Sequence, residues 1–129
     1  MNTNQQNVLY ITIDSIRADR VGFVGEHRDT TPFLDGLADE GATFEYAIAN
    51  GIPTYYSFKS LLGGIYSLSH EEEIGLPDSA VSIAEVFRRE GYSTAGFNAK
   101  NPWLTGAYGY DRGFDIYRDF MSESESRIN

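Results

Sequence analysis

The chain has 129 residues, enough for one domain that buries about two-thirds of the surface its unfolded form would expose. Its 19 acidic residues against 10 lysines and arginines give a net charge of −9, which repels phosphate backbones and anionic lipid and so excludes nucleic acid and membrane surfaces as partners. The absence of cysteine excludes disulfides and thiolate metal ligands, and no apolar run approaches the ~20 residues of a membrane span. Lysine is nearly missing, with Lys59 and Lys100 alone. Acid excess with so few lysines fits a protein working in molar salt, where self-repulsion is screened within a few ångströms, and predicts a halophilic source. Residues 1–7 are polar and lack the apolar stretch of a signal peptide, so a cytoplasmic location is expected.

In chain order, residues 8–13 (Val-Leu-Tyr-Ile-Thr-Ile) are apolar or β-branched and predict a strand buried on both faces of a parallel sheet. Asp14 follows at the strand's carboxyl end, where open α/β sheets place ligands. Its carboxylate suits a metal there, or caps the following turn; the spacing leaves both open. Residues 15–30 read as a loop in which His27 is a solvated side chain. Thr30 or Thr31 then caps a helix with Pro32 in its first turn, Phe33, Leu34, Leu37 and Ala38 packing on the sheet, and Gly41 ending it. Residues 43–49 predict a second strand and residues 50–53 a turn.

A second helix is expected from Thr54, stopped by Gly63 and Gly64. Residues 65–75 are a loop with the acidic run Glu71, Glu72, Glu73, and His70 there reads as a surface residue. Pro77 with Asp78 or Ser79 introduces an amphipathic helix whose apolar side is Val81, Ile83, Ala84, Val86 and Phe87, terminated by Gly91. Residues 92–97 predict a third strand, residues 98–103 a loop at its carboxyl end, and residues 114–117 a short last strand. Residues 121–129 form a polar tail behind a single domain spanning 1–120. The alternation of strands and helices defines an α/β fold, a mostly parallel sheet flanked by helices. A small sheet of this kind leaves an edge or face open, so homo-oligomerisation is expected.

The run Ile11-Thr12-Ile13-Asp14-Ser15-Ile16-Arg17-Ala18-Asp19-Arg20 resembles the opening motif of the sulfatase family, within the alkaline phosphatase superfamily. Thr30-Thr31-Pro32-Phe33-Leu34-Asp35-Gly36-Leu37-Ala38-Asp39-Glu40-Gly41-Ala42-Thr43-Phe44, Ser60-Leu61-Leu62-Gly63-Gly64 and Gly91-Tyr92-Ser93-Thr94-Ala95 are similar to later segments of that family, in the same order. The resemblance implies the N-terminal part of the alkaline phosphatase-like fold; family members are several times longer, so the chain is either a fragment or a shortened relative. It implies a small anionic ester as substrate and metal-assisted cleavage or transfer of a sulfate or phosphate group.

Aligned on Ser57 and Ser60-Leu61-Leu62, the family's nucleophile position is Thr54. Sulfatases use formylglycine there, made from Cys or Ser. Threonine cannot become an aldehyde, because oxidising its secondary alcohol gives a ketone. Other branches of the superfamily resemble this arrangement and attack with threonine directly. The resemblance therefore implies Thr54 as nucleophile and metal ligand, Asp14 as the other ligand, and Lys100 or Asn101 as contacts for the substrate anion. Hard oxygen ligands imply Ca²⁺, Mg²⁺ or Mn²⁺, with Zn²⁺ possible if histidines follow downstream. Read without the family, Thr54 is a helix N-cap, Lys100 a solvated lysine and Asn101 a turn residue before Pro102. The family's arginine four positions after the nucleophile is Phe58 here, its proline is Tyr56, and its second aspartate is Ser15. A truncated, non-catalytic domain that self-associates or binds an anion is the alternative.

Overall fold

The computed structural model describes residues 6–25, 29–67 and 74–121. His27, His70, the acidic run 71–73 and the polar tail beyond Met121 lie outside the described residues. The chain divides into two compact units, Met1–Ala47 and Ile48–Asn129.

In the first unit the predicted strand over 8–13 does not form, and neither does the strand over 43–49. Leu9 is 84 % exposed and Tyr46 90 % exposed. A strand is held by hydrogen bonds to a neighbouring strand, and among the described residues only the 95–97 and 116–118 segments pair in this way. What does form is local. Two 3-10 turns, Ala18–Arg20 and Gly22–Val24, precede helix α1, Pro32–Glu40, which has Pro at its start and Gly41 beyond its end as the sequence predicts. Thr31 does not cap α1 in the usual way. Its hydroxyl oxygen accepts from Gly22 N at 2.9 Å and donates to Asp35 Oδ1 at 3.0 Å, and Phe23 N also donates to Asp35 at 3.0 Å. A Cβ at position 22 would fall 2.1 Å from the Asp35 carboxylate, so only glycine lets turn and helix approach so closely. Phe33 and Leu37, expected to pack on a sheet, are exposed.

The second unit has a core. Leu76, Ala80 and Tyr110 are buried, with Phe58, Leu62, Ile65, Leu104, Tyr108 and Tyr117 packed against them. Helix α2, Thr54–Gly63, ends on Gly64 in the left-handed conformation at φ 63°, as predicted. Helix α3, Ile83–Arg89, starts later than Pro77 and Asp78 suggested. Its N-cap is Ser82, whose hydroxyl accepts from Glu85 N while Ser82 N donates to the Glu85 carboxylate. Gly91, at φ 84°, follows its end.

Residues 76–80 are instead a turn clamped by Arg112. Its guanidinium donates to the carbonyls of Pro77 at 2.8 Å and Ala80 at 3.1 Å, and more loosely to Leu76, Asp78 and Gly109. Ser82 Oγ donates to Arg112 O at 2.8 Å, tying the clamp to the head of α3. Gly113 (φ 85°) lies against that head, where a Cβ would come within 2.2 Å of Glu85 N.

Strands β1, Ala95–Phe97, and β2, Ile116–Arg118, pair in parallel with Gly96 opposite Tyr117. β1 lies within the predicted third strand, and β2 overlaps the predicted last strand, 114–117, but runs one residue beyond it. Thr94 extends the pairing, since its carbonyl accepts from Asp115 N and Ile116 N and its hydroxyl donates to Gly113 O at 2.7 Å. The architecture is α/β, with a parallel sheet and helices.

Candidate functional site

Asp14 sits in the first unit, at a tight turn rather than at the end of a strand. Ser15 beside it is left-handed at φ 57°, a region few residues other than glycine adopt, and its hydroxyl donates to Asp14 Oδ1 at 3.3 Å. Three residues on, Arg17 grips Asp19 through two bonds of 2.8 and 2.7 Å. That contact holds the Asp19 carboxyl below its ordinary range.

Thr54, Lys100 and Asn101 sit in the second unit. Thr54 is the first helical residue of α2, and the N-cap position belongs to Pro53, so Thr54 is not the N-cap. Its carbonyl accepts from Ser57 Oγ at 3.1 Å, while its hydroxyl makes no hydrogen bond among the described residues. The turn feeding it is pinned by Ser67. This fully buried hydroxyl lies 2.8 Å from both Asn50 O and Tyr56 O and 3.1 Å from Ser60 Oγ. A Cβ on Gly51 would collide with it at 2.6 Å.

The loop after β1 is built around Asn98. Buried to 6 % exposure, its amide donates to Asn101 O at 2.7 Å and Leu104 O at 3.0 Å, and its oxygen accepts from Asn101 N at 2.9 Å. Asn101 Oδ1 in turn accepts from Trp103 N at 3.0 Å, the turn role that its place before Pro102 suggests. Lys100 is exposed and left-handed at φ 61°, held there by the bonds on either side of it. The loop meets the start of α2 where the rings of Tyr55 and Trp103 lie 5.0 Å apart, so the structure brings the Asn101 loop beside the Thr54 end of α2.

The two residues after Ser57 serve packing. Phe58, at the family's arginine position, packs on the core with its ring edge-on to Tyr110 at 6.3 Å. Lys59 is fully buried, its ammonium 5.6 Å from the centre of the Tyr56 ring. Sequence reasoning missed this burial, along with Ser67 and Arg112, because each acts through contacts distant in sequence. It also missed the Ser82–Glu85 capping box, although a serine three residues before a glutamate is a local signal that could have found it.

Below these residues, Tyr110 OH donates to Tyr55 O at 3.4 Å, and Tyr117 OH donates to Leu104 O. Burial pushes the Tyr110 hydroxyl far above its usual pKa and Tyr117 up to about 12. Two interior phenols thus support the backbones of the helix start and the loop.

The α/β architecture, a parallel sheet with helices, is shared with a solved protein of the alkaline phosphatase-like fold. The solved phosphonate monoester hydrolase of Agrobacterium radiobacter superposes with a TM-score of 0.66 at 24 % identity, over 85 % of this chain and 25 % of that one. The chain belongs to the sulfatase family, whose model matches residues 6–127. It is 34 % identical to an ulvan-active sulfatase of Formosa agariphila over 69 % of this chain and 18 % of that protein. It is 27 % identical to an N-acetylgalactosamine-6-O-sulfatase of Bacteroides thetaiotaomicron over 72 % and 20 %. The chain therefore spans about a fifth to a quarter of the length of the relatives it matches.

Members of this superfamily generally use divalent metals. Among the described residues no three His, Asp or Glu side chains gather in one place. Mg²⁺ or Ca²⁺ takes about six or more oxygen ligands. Asp14 and the Thr54 hydroxyl do not by themselves make a cation site. No helix of the described residues is long and apolar enough to cross a membrane.

Proposed function

We propose that the chain carries the nucleophile-bearing part of an enzyme that cleaves or transfers a sulfate or phosphate ester, with the Thr54 hydroxyl as the attacking group. The observation that carries this reading is the place of Thr54: first residue of α2, hydroxyl uncommitted, beside the Asn98-centred loop. Free N–H groups at a helix start favour an anion, by about 0.3–1 kcal/mol from the dipole alone at an exposed site. In the proposed reaction the hydroxyl oxygen bonds to sulfur or phosphorus, the ester oxygen leaves with its bonding pair, and the hydroxyl proton passes to water. Lys100 or the Asn101 amide contacts the anion. Asp14 is proposed as a ligand of a divalent cation, as the family resemblance implies. The names of the relatives, sulfatases and a phosphonate monoester hydrolase, support the substrate class.

The test is hydrolysis of p-nitrophenyl sulfate and p-nitrophenyl phosphate in molar KCl with Mn²⁺, Mg²⁺ or Ca²⁺. Turnover that needs the metal and disappears in Thr54→Ala and Asp14→Ala is the expected result. Equal turnover in Thr54→Ala would remove it as nucleophile. The KCl addresses the proposed adaptation to molar salt, which predicts a fold that loosens as salt is withdrawn.

A second reading, a non-catalytic domain that self-associates, is favoured by one observation. Leu9, Ile11, Phe44 and Tyr46 are more than half exposed, and apolar surface of this kind is rare on a monomer. Sedimentation showing dimers or larger species of a chain inactive on both esters would select it.

A further inference from the structure

Two pairs of aromatic side chains in the second unit differ in how they are held. Tyr110 and Tyr117 place their rings in or against the core and engage their hydroxyls with backbone carbonyls. Tyr55 and Trp103 do neither. Both are half-buried, their rings lie 5.0 Å apart at an inclination of 54°, and neither the Tyr55 hydroxyl nor the Trp103 indole N–H makes a hydrogen bond among the described residues. Tyrosine and tryptophan polar atoms find partners when buried, and no described buried side-chain nitrogen or oxygen lacks one, so these two handles face water. The ring pair is held from behind. Tyr55 O takes the Tyr110 hydroxyl, Trp103 N donates to Asn101 Oδ1, and Asn98 ties the loop on both sides of Trp103. Tyr56, 4.5 Å from Tyr55, and Tyr108, 5.9 Å from Trp103, extend the same row of rings.

We propose that Tyr55 and Trp103 are a specificity-determining pair that takes a ring with a flat apolar face, a pyranose or an aryl group, carried by the anionic ester that Thr54 attacks. The inference rests on the ester-cleaving reading for its second half, since Tyr55 adjoins Thr54 in sequence. Its first half, ring binding, stands on the pair alone. A pre-organised ring pair binds without ordering cost, and its two open polar handles suit the hydroxyls or ester oxygens that a bare hydrocarbon lacks.

Trp103 is the single tryptophan of the chain and reports on the site directly. The experiment titrates the full chain with phenyl sulfate, galactose 6-sulfate, methyl sulfate and inorganic sulfate while following Trp103 emission. Either ring-bearing ester should shift the emission saturably, the two arms telling aryl from sugar, and methyl and inorganic sulfate should not. Tyr55→Leu should weaken that binding about two- to tenfold, the range for one aromatic contact. Tyr55→Phe, which keeps the ring, should retain most of it and guards against a folding defect. An identical response to methyl sulfate, or no response to any ester, overturns the pair as a ring site. Saturable ring binding without hydrolysis would sink the ester-cleaving reading and leave the pair standing. Hydrolysis of phenyl and methyl sulfate at equal kcat/KM, in wild type and Tyr55→Leu alike, would do the reverse.

Discussion

The two units of the chain contain similar apolar sequence and do different things with it. In Met1–Ala47 the most apolar run, residues 8–13, lies exposed, and Val21 is the one buried side chain among the described residues. In Ile48–Asn129 aliphatic residues build a core, because Tyr110 and Arg112 bring the 76–80 turn, α2 and the head of α3 together. Apolar content supplies driving force, but burial needs a second surface. Residues 76–80 have that surface within their own unit; residues 8–13 do not.

Charged residues give the sharpest way to break the contrast. Arg112→Ala removes the clamp and leaves several carbonyls of the 76–80 turn without their donor, an expected loss of about 3 kcal/mol in denaturant unfolding of the second unit. Arg17→Ala removes an ion pair that is fully exposed, and no measurable change is expected. Equal effects would mean that Arg112 is no more a structural hub than Arg17.

Aliphatic residues come next. Leu76→Ala opens a cavity under Tyr110 and should cost about 2–4 kcal/mol. Leu9→Ala, in the exposed run, should stay within about 0.5 kcal/mol as a monomer. A large loss at Leu9 in dilute solution would show that the run is covered.

Ser82→Ala tests the start of α3. It removes both the capping box and the bond to Arg112 O, and about 1–2 kcal/mol should be lost. Asp78→Ala and Ser79→Ala, at the alternative start positions, should cost less.

The smallest expected effect is at alkaline pH. The Tyr117 phenol has its pKa pushed up to about 12 by burial, against an ordinary value of 10.0. Between those values the unfolded chain has released the proton and the folded chain still holds it. The stabilisation is therefore complete below about pH 10 and is lost as pH rises toward 12. Tyr110, raised further, adds to the same fall. Tyr117→Phe should flatten the fall in a urea series from pH 9 to 12. An unchanged slope would remove burial of this phenol as its cause.

Much of the local structure was legible in the residues. Pro32 and Gly41 bracket α1 and Thr54 and Gly64 bracket α2, whereas α3 was expected from Pro77 with Asp78 or Ser79 and starts instead on the Ser82–Glu85 capping box. These features are set within one or two helical turns, by ring closure in proline, by the freedom of glycine and by side chains reaching their own backbone. Strands near residues 95 and 116, in a mostly parallel sheet, were also foreseen; their pairing with each other was not. The strands over 8–13 and 43–49 were not realised, because a strand is completed by its neighbour and its own residues cannot supply one.

The site divides the same way. By itself the sequence placed a threonine at a helix start, an asparagine before a proline and an aspartate after an apolar run, and with them the family. Tertiary structure alone decided that Phe58 and Lys59 face inward, that Asn98 and Ser67 hold the loop and the turn, and that Tyr55 and Trp103 meet with their polar atoms open. Each of those depends on groups far apart in the chain being brought within a few ångströms, and short-range periodicity does not encode that closure.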